Sequence, residues 1–145
     1  MTIGDPLPQL AALAPFAGKP LILYFYPKDN TPGCTQEACS LRDSYEPLRR
    51  EGWQVVGVSP DSEASHQRFA AKHNLPFTLL SDPGHMLAET FGAWGEKKMC
   101  GRTYMGILRT TFVIDADGII RHIFTPKQIK VKEHARQLLD VIAKL

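Results

Sequence analysis

An α/β sandwich, with a mixed central sheet flanked by helices, is the fold class that this sequence predicts. Three observations carry the expectation. Two unbroken apolar runs of strand length, Leu21 to Tyr26 and Trp53 to Ser59, flank a helix-length segment from Gly33 to Gly52 and so make one strand–helix–strand unit. Two further apolar runs surround Asp115-Ala116-Asp117-Gly118, the signal of an antiparallel hairpin. Last, Val131, Ala135, Leu138, Leu139, Ile142 and Leu145 share one face of a closing helix.

Taken in order, "LILYFY" (21–26) is rich in aromatics and continuous rather than alternating, as expected for a strand covered on both faces. The segment 33–52 has a helix's length and a stop glycine, with a kink expected at Pro47. "WQVVGVS" (53–59) is the second strand. A second helix spans Ser62 to His73 and is ended by Asn74 and Pro76, and "FTLL" (77–80) is a third, short strand. Asp82 to Gly92 reads as a short helix closed by its glycine. The stretch holding Trp94, Cys100 and Tyr104 reads as loop, its aromatics serving as packing anchors. Arg109 to Phe124 is the hairpin. Its Asp-Ala-Asp-Gly lacks the further ligands of a calcium loop. A βαβ start followed by a ββα end is the thioredoxin-like order. With no repeat, linker or low-complexity tract, residues 1–145 are expected to form one domain.

Composition excludes several function classes. The net charge is +2 and the 17 Lys and Arg are dispersed, which argues against a nucleic-acid footprint. The first twenty residues lack a basic segment followed by an apolar run, and no stretch approaches the roughly eighteen apolar residues of a membrane span. A cytoplasmic monomer is the expectation. Cys34, Cys39 and Cys100 are too few and odd in number for a disulfide framework, and in a reducing compartment such cysteines are redox-active or metal-binding more often than structural.

The chemistry concentrates in "YFYPKDNTPGCTQEAC" (24–39). Pro32 suits the first helical position, which makes Thr31 the N-cap and puts Cys34 in the first turn. There the sulfur lies near unpaired backbone N–H groups and the positive helix end, an environment that favours thiolate over thiol. The same groups can hold an oxygen that gains charge as an O–O bond breaks, which suits peroxide. Cys39, five residues on, would have its Cα roughly 8 to 9 Å away in an ideal helix. A disulfide needs about 7 Å or less, so pairing Cys34 with Cys39 requires the first turns to unwind.

The pattern Pro27-x-x-x-Thr31-x-x-Cys34 resembles the active-site signature of peroxiredoxins. Together with "FTLLSDPGH" (77–85) and "FGAWGEKKMCGRTYMGILRTTFVIDADG" (91–118), it is similar to their bacterioferritin comigratory protein, or Q-type, branch, over nearly the whole chain. The resemblance implies a thioredoxin-like fold and a cofactor-free peroxidase for hydrogen peroxide and organic hydroperoxides. It implies Cys34 as the peroxidatic cysteine and Cys39 as the resolving one. Pro27, Thr31 and Gly33 would shape the peroxide pocket, and Arg109 would support thiolate and peroxide. Thioredoxin or a similar dithiol would be the reductant. Apart from the resemblance, Arg109 reads as a surface arginine at a strand start. Cys100 is an alternative partner for Cys34.

Two rival readings stay open. A dithiol–disulfide exchanger would normally space its cysteines as Cys-x-x-Cys, whereas four residues separate these two. A non-enzymatic metal-binding module would need a histidine partner, and His66, His73, His85, His122 and His134 form no recognisable ligand pair with one another or with the cysteines. Each reads as a surface or packing residue.

Overall fold

The computed structural model describes all of residues 1–145. Strands β1 (Leu21–Phe25), β2 (Gln54–Ser59), β3 (Thr78–Ser81), β6 (Thr110–Ile114) and β7 (Ile120–Phe124) form one sheet in the order β3-β2-β1-β6-β7. β1, β2 and β3 run parallel, β6 is antiparallel to β1, and β7 is antiparallel to β6. The mixed sheet and thioredoxin-like order are therefore as the sequence predicts.

β1 lies at the centre, and all five of its residues are buried. Its alternating side chains feed two cores, because successive residues of a strand point to opposite faces. Ile22 and Tyr24 join Ala38 and Leu41 of α1 (Pro32–Asp43), Leu48 of α2 (Tyr45–Arg50), Phe69 of α3 (Glu63–His73), and Ala135 and Leu138 of α5 (His134–Ile142). Leu21, Leu23 and Phe25 join Leu87, Ala88 and Phe91 of α4 (Met86–Phe91) and Leu13 of a 3₁₀ turn, Ala11–Phe16. Each fully buried aliphatic or aromatic side chain contributes about 1.5–3 kcal/mol by transfer from water. Gly57 is fitted to its neighbour across the sheet: a Cβ there would stand 2.8 Å from the Tyr24 ring.

Three expectations need correction. The helix expected over 33–52 is two helices, broken at Ser44 (φ −111°, ψ 17°) rather than kinked at Pro47. Pro47 offers no N–H to the carbonyl four residues earlier, and its ring clashes with that carbonyl, which belongs to Asp43, the last residue of α1. The supposed loop after Gly92 is a two-stranded hairpin, β4 (Trp94–Met99) and β5 (Arg102–Ile107), turned by Cys100 and Gly101 at φ 51° and 78°. Leu145, assigned to the buried face of α5, is 49% exposed. The N-terminal segment forms hydrogen bonds beside the start of β7, from Gly4 N to Ile120 O and from Leu7 N to Gly118 O, so it covers that end of the sheet's edge.

Candidate active site

Thr31 occupies the N-cap of α1 with extended backbone (φ −81°, ψ 152°), and Pro32 opens the helix. The first intrahelical bond runs from Thr35 N to Thr31 O at 2.8 Å. Cys34 therefore stands third in the first turn, among residues whose amides a helix leaves without intrahelical acceptors. Its side chain is buried, Cys39 is half-buried, Cys100 is exposed, and all three thiols are free. The Thr31 hydroxyl departs from its expected capping role. It donates instead to the Lys28 carbonyl at 2.8 Å, which leaves its oxygen lone pairs able to accept.

Arg109, just ahead of β6, is no surface residue, since its side chain is 18% exposed. Nη2 donates to Cys34 Sγ at 3.2 Å, and Nη1 donates to Glu37 Oε1. Gly33 makes room for this reach, because a Cβ there would lie 3.3 Å from Nη2. Glu37, one turn beyond Cys34 on α1, is fully buried, and its Oε2 has no hydrogen-bond partner. Burial pushes the pKa of its carboxyl up to about 7, although Arg109 opposes the shift. The buried Tyr24 hydroxyl is likewise without a partner. Burial and the neighbouring Glu37 and Cys34 hold its proton on well above the usual phenol range. On β4, Lys97 is lowered by burial and by the like charge of Arg109, so the hairpin brings a second cation toward the site.

Pro27 is half-buried at the start of the loop 27–31. Behind that loop lies a buried polar cluster. Asp29 Oδ2 accepts from Ser65 Oγ at 2.8 Å and lies 2.7 Å from His66 Nδ1, and the Asp29 amide donates to Asp61 Oδ2 at 2.8 Å. Burial pushes the Asp29 carboxyl up, and hydrogen bonds from His66, Tyr26 and Ser65 outweigh it, leaving the carboxyl below its ordinary range. Asp29, Asp61 and His66 bring possible metal-ligating atoms within 4.8 Å of one another. These atoms are already engaged: His66 Nδ1 with Asp29 Oδ2, and Asp61 Oδ2 with Ser59 Oγ at 2.7 Å.

The structure thus brings Cys34, Gly33 and Arg109 into contact, with Thr31 at the head of the same helix, and sets Cys39 further along it. Sequence reasoning missed Glu37, Lys97, Asp29, Asp61 and His66. Glu37 drew no reading of its own, and His66 read as a surface or packing residue. The one available signal was the position of Glu37, one turn beyond Cys34 and so on the same side of α1.

Comparison with known proteins gives a concordant set. The model of the AhpC/TSA family matches residues 8–123. Peroxiredoxin Bcp of Bacillus subtilis is 50% identical over 134 residues, which are 92% of this chain and 84% of the relative. Peroxiredoxin Bcp of Escherichia coli K12 is 52% identical over 112 residues, 77% of this chain and 72% of the relative. Among solved structures, a cysteine-to-serine mutant of Xylella fastidiosa PrxQ superposes with a TM-score of 0.91 at 33% identity, covering 99% of this chain and 96% of that one. Xanthomonas campestris bacterioferritin comigratory protein, described for its alkyl peroxide reduction activity, gives 0.83 at 36% identity over 91% and 83%.

Proposed function

This chain belongs to the AhpC/TSA family, in its Bcp or Q-type peroxiredoxin branch, and from that premise we propose that Cys34 is the nucleophile of its thiol peroxidase activity. The observation that carries the assignment is the Arg109 guanidinium 3.2 Å from Cys34 Sγ at the N-terminus of α1. A fixed positive charge and a helix N-terminus both favour the thiolate, the form that attacks.

The thiolate attacks one peroxide oxygen. A sulfur–oxygen bond forms, the O–O bond breaks, and the leaving alkoxide or hydroxide takes a proton to leave as alcohol or water. Sulfur loses two electrons. Arg109 and the first-turn amides stabilise the charge developing on the leaving oxygen. The Thr31 hydroxyl, its proton spent on Lys28, accepts the peroxide's O–H and orients it between Pro27 and Gly33. Cys39 then attacks the sulfenic sulfur, an S–S bond forms, and water leaves. An external dithiol such as thioredoxin reduces the disulfide by exchange. Organic hydroperoxides fit the reading, since the Xanthomonas campestris relative is described for its alkyl peroxide reduction activity.

Peroxide consumption coupled to reduced thioredoxin tests the assignment. Wild-type protein should turn over, and Cys34→Ser should not, because a serine hydroxyl is hardly ionised near neutral pH. Turnover surviving in Cys34→Ser removes Cys34 from the role.

A further inference from the structure

The two buried histidines are hydrogen-bonded in opposite ways. His134 sits between a donor and an acceptor, with Thr111 Oγ1 2.8 Å from Nε2 and Gln137 Oε1 2.9 Å from Nδ1. A neutral ring satisfies both. His66 instead faces acceptors at both nitrogens. Nδ1 lies 2.7 Å from Asp29 Oδ2, and Nε2 lies 3.0 Å from the Leu80 carbonyl. The Tyr26 hydroxyl, 3.4 Å from Nδ1, gives its own proton to Asp29 Oδ1 at 2.6 Å. Imidazolium is the form with two N–H donors, so this geometry calls for a buried cation.

That cation is tied to the head of α1. The charged and titratable groups around it are Asp29 from the loop, Asp61 after β2 and Tyr26 after β1, with Ser65 of α3 also on Asp29. The Asp29 N–H held by Asp61 belongs to the same peptide as the Lys28 carbonyl. That carbonyl receives the Thr31 hydroxyl. A peptide unit is planar and stiff, so gripping its N–H end fixes its carbonyl end.

We propose that His66, as the imidazolium, is a positioning residue for peroxide reduction: with Asp29 and Asp61 it clamps the Lys28–Asp29 peptide and thereby aims the Thr31 hydroxyl. The proposal rests on the roles given above to Cys34 and Thr31. It makes the clamp sensitive to pH. Burial disfavours the charge on His66, but the hydrogen bond and charge of Asp29 outweigh burial and raise its proton affinity above the ordinary value. A raised histidine is fully protonated below its ordinary pKa of about 6.5, so the clamp is complete there and is released as pH rises through the higher value of the folded protein.

Two measurements on the reduced full-length protein test the proposal. In NMR spectra of isotope-labelled histidine, both ring nitrogens of His66 should carry protons at neutral pH, and a ring with one bare nitrogen there overturns the proposal. In stopped-flow oxidation by hydrogen peroxide, the wild-type rate constant should fall on the alkaline side with the midpoint of that NMR titration. His66→Gln should be ~10-fold slower at neutral pH and lack this alkaline limb, as expected when a reacting group is misplaced, while its thiolate absorbance titrates as in wild type. A wild-type limb that does not track the NMR midpoint contradicts the clamp, and so does an unchanged rate in His66→Gln. Should His66→Gln not fold, the wild-type comparison decides alone. Wild-type protein whose Cys34 is not oxidised at all contradicts the peroxidase reading along with the clamp, whereas normal oxidation insensitive to His66 contradicts only the clamp.

Discussion

Arg109 and Cys34 stand 75 positions apart in the chain and 3.2 Å apart at Nη2 and Sγ. The same guanidinium holds the buried Glu37 with its other nitrogen. One guanidinium therefore bridges the thiol and the carboxyl on one face of α1, and its substitution should affect both chemistry and folding.

Arg109→Ala should slow Cys34 oxidation by about tenfold or more, roughly 1.4 kcal/mol or more of transition-state stabilisation. It also leaves Glu37 buried without its partner, which costs stability unless the carboxyl takes up a proton. Adding Glu37→Gln to Arg109→Ala should therefore restore stability and leave the oxidation slow. Stopped-flow rates and denaturant midpoints measured on both variants check this, and a wild-type oxidation rate in Arg109→Ala would show the guanidinium to be a bystander.

Glu37 also sets a pH dependence. Its proton is held to about 7 in the folded protein, above the ordinary 4.5. Between these values the native state binds more protons than the unfolded chain, so this group makes stability fall as pH rises through that window. Chemical denaturation across the window should show a flatter profile for Glu37→Gln than for wild type. Identical slopes would mean that Arg109 keeps Glu37 ionised throughout.

Cys39→Ser should react once with peroxide and then stop short of an internal disulfide. Cys100→Ser should retain thioredoxin-linked turnover, because Cys100 sits exposed at the tip of the β4–β5 hairpin. Turnover lost in Cys100→Ser and kept in Cys39→Ser would reverse the two assignments.

Joining Cys34 to Cys39 must unwind part of α1, since one helix separates their Cα atoms by roughly 8 to 9 Å, beyond disulfide reach. The residue after Cys39 carries the disturbance further. Ser40 Oγ accepts the Ala135 amide at 3.1 Å and so caps the start of α5 from another helix. Amide hydrogen exchange should therefore rise on oxidation over residues 31–41 and at the first turn of α5, while β1 and β6 stay protected. Equal exchange over 31–41 in both redox states would rule out the unwinding.

How far the sequence reveals the molecule follows from the range of the forces involved. Pro32, the fourfold spacing Pro27–Thr31 and the place of Cys34 are local, and the order of strands and helices follows from apolar runs. The break at Ser44 was misplaced because Pro47 acts on a carbonyl four residues back. β4 and β5 escaped notice because their residues are mostly exposed, and because their turn uses Cys100-Gly101 in place of the usual Asn or Asp before Gly. The ion pair of Glu37 with Arg109 and the pairing of Asp29 with His66 span 72 and 37 residues, and local pattern carries no trace of them.

Peptide mass mapping after one equivalent of hydrogen peroxide tests the central claim most directly. The account predicts that the reduced protein converts to a form in which Cys34 and Cys39 are linked, with Cys100 still alkylatable. A Cys34–Cys100 link, or a peroxide-treated protein in which Cys34 remains a free thiol, would contradict it.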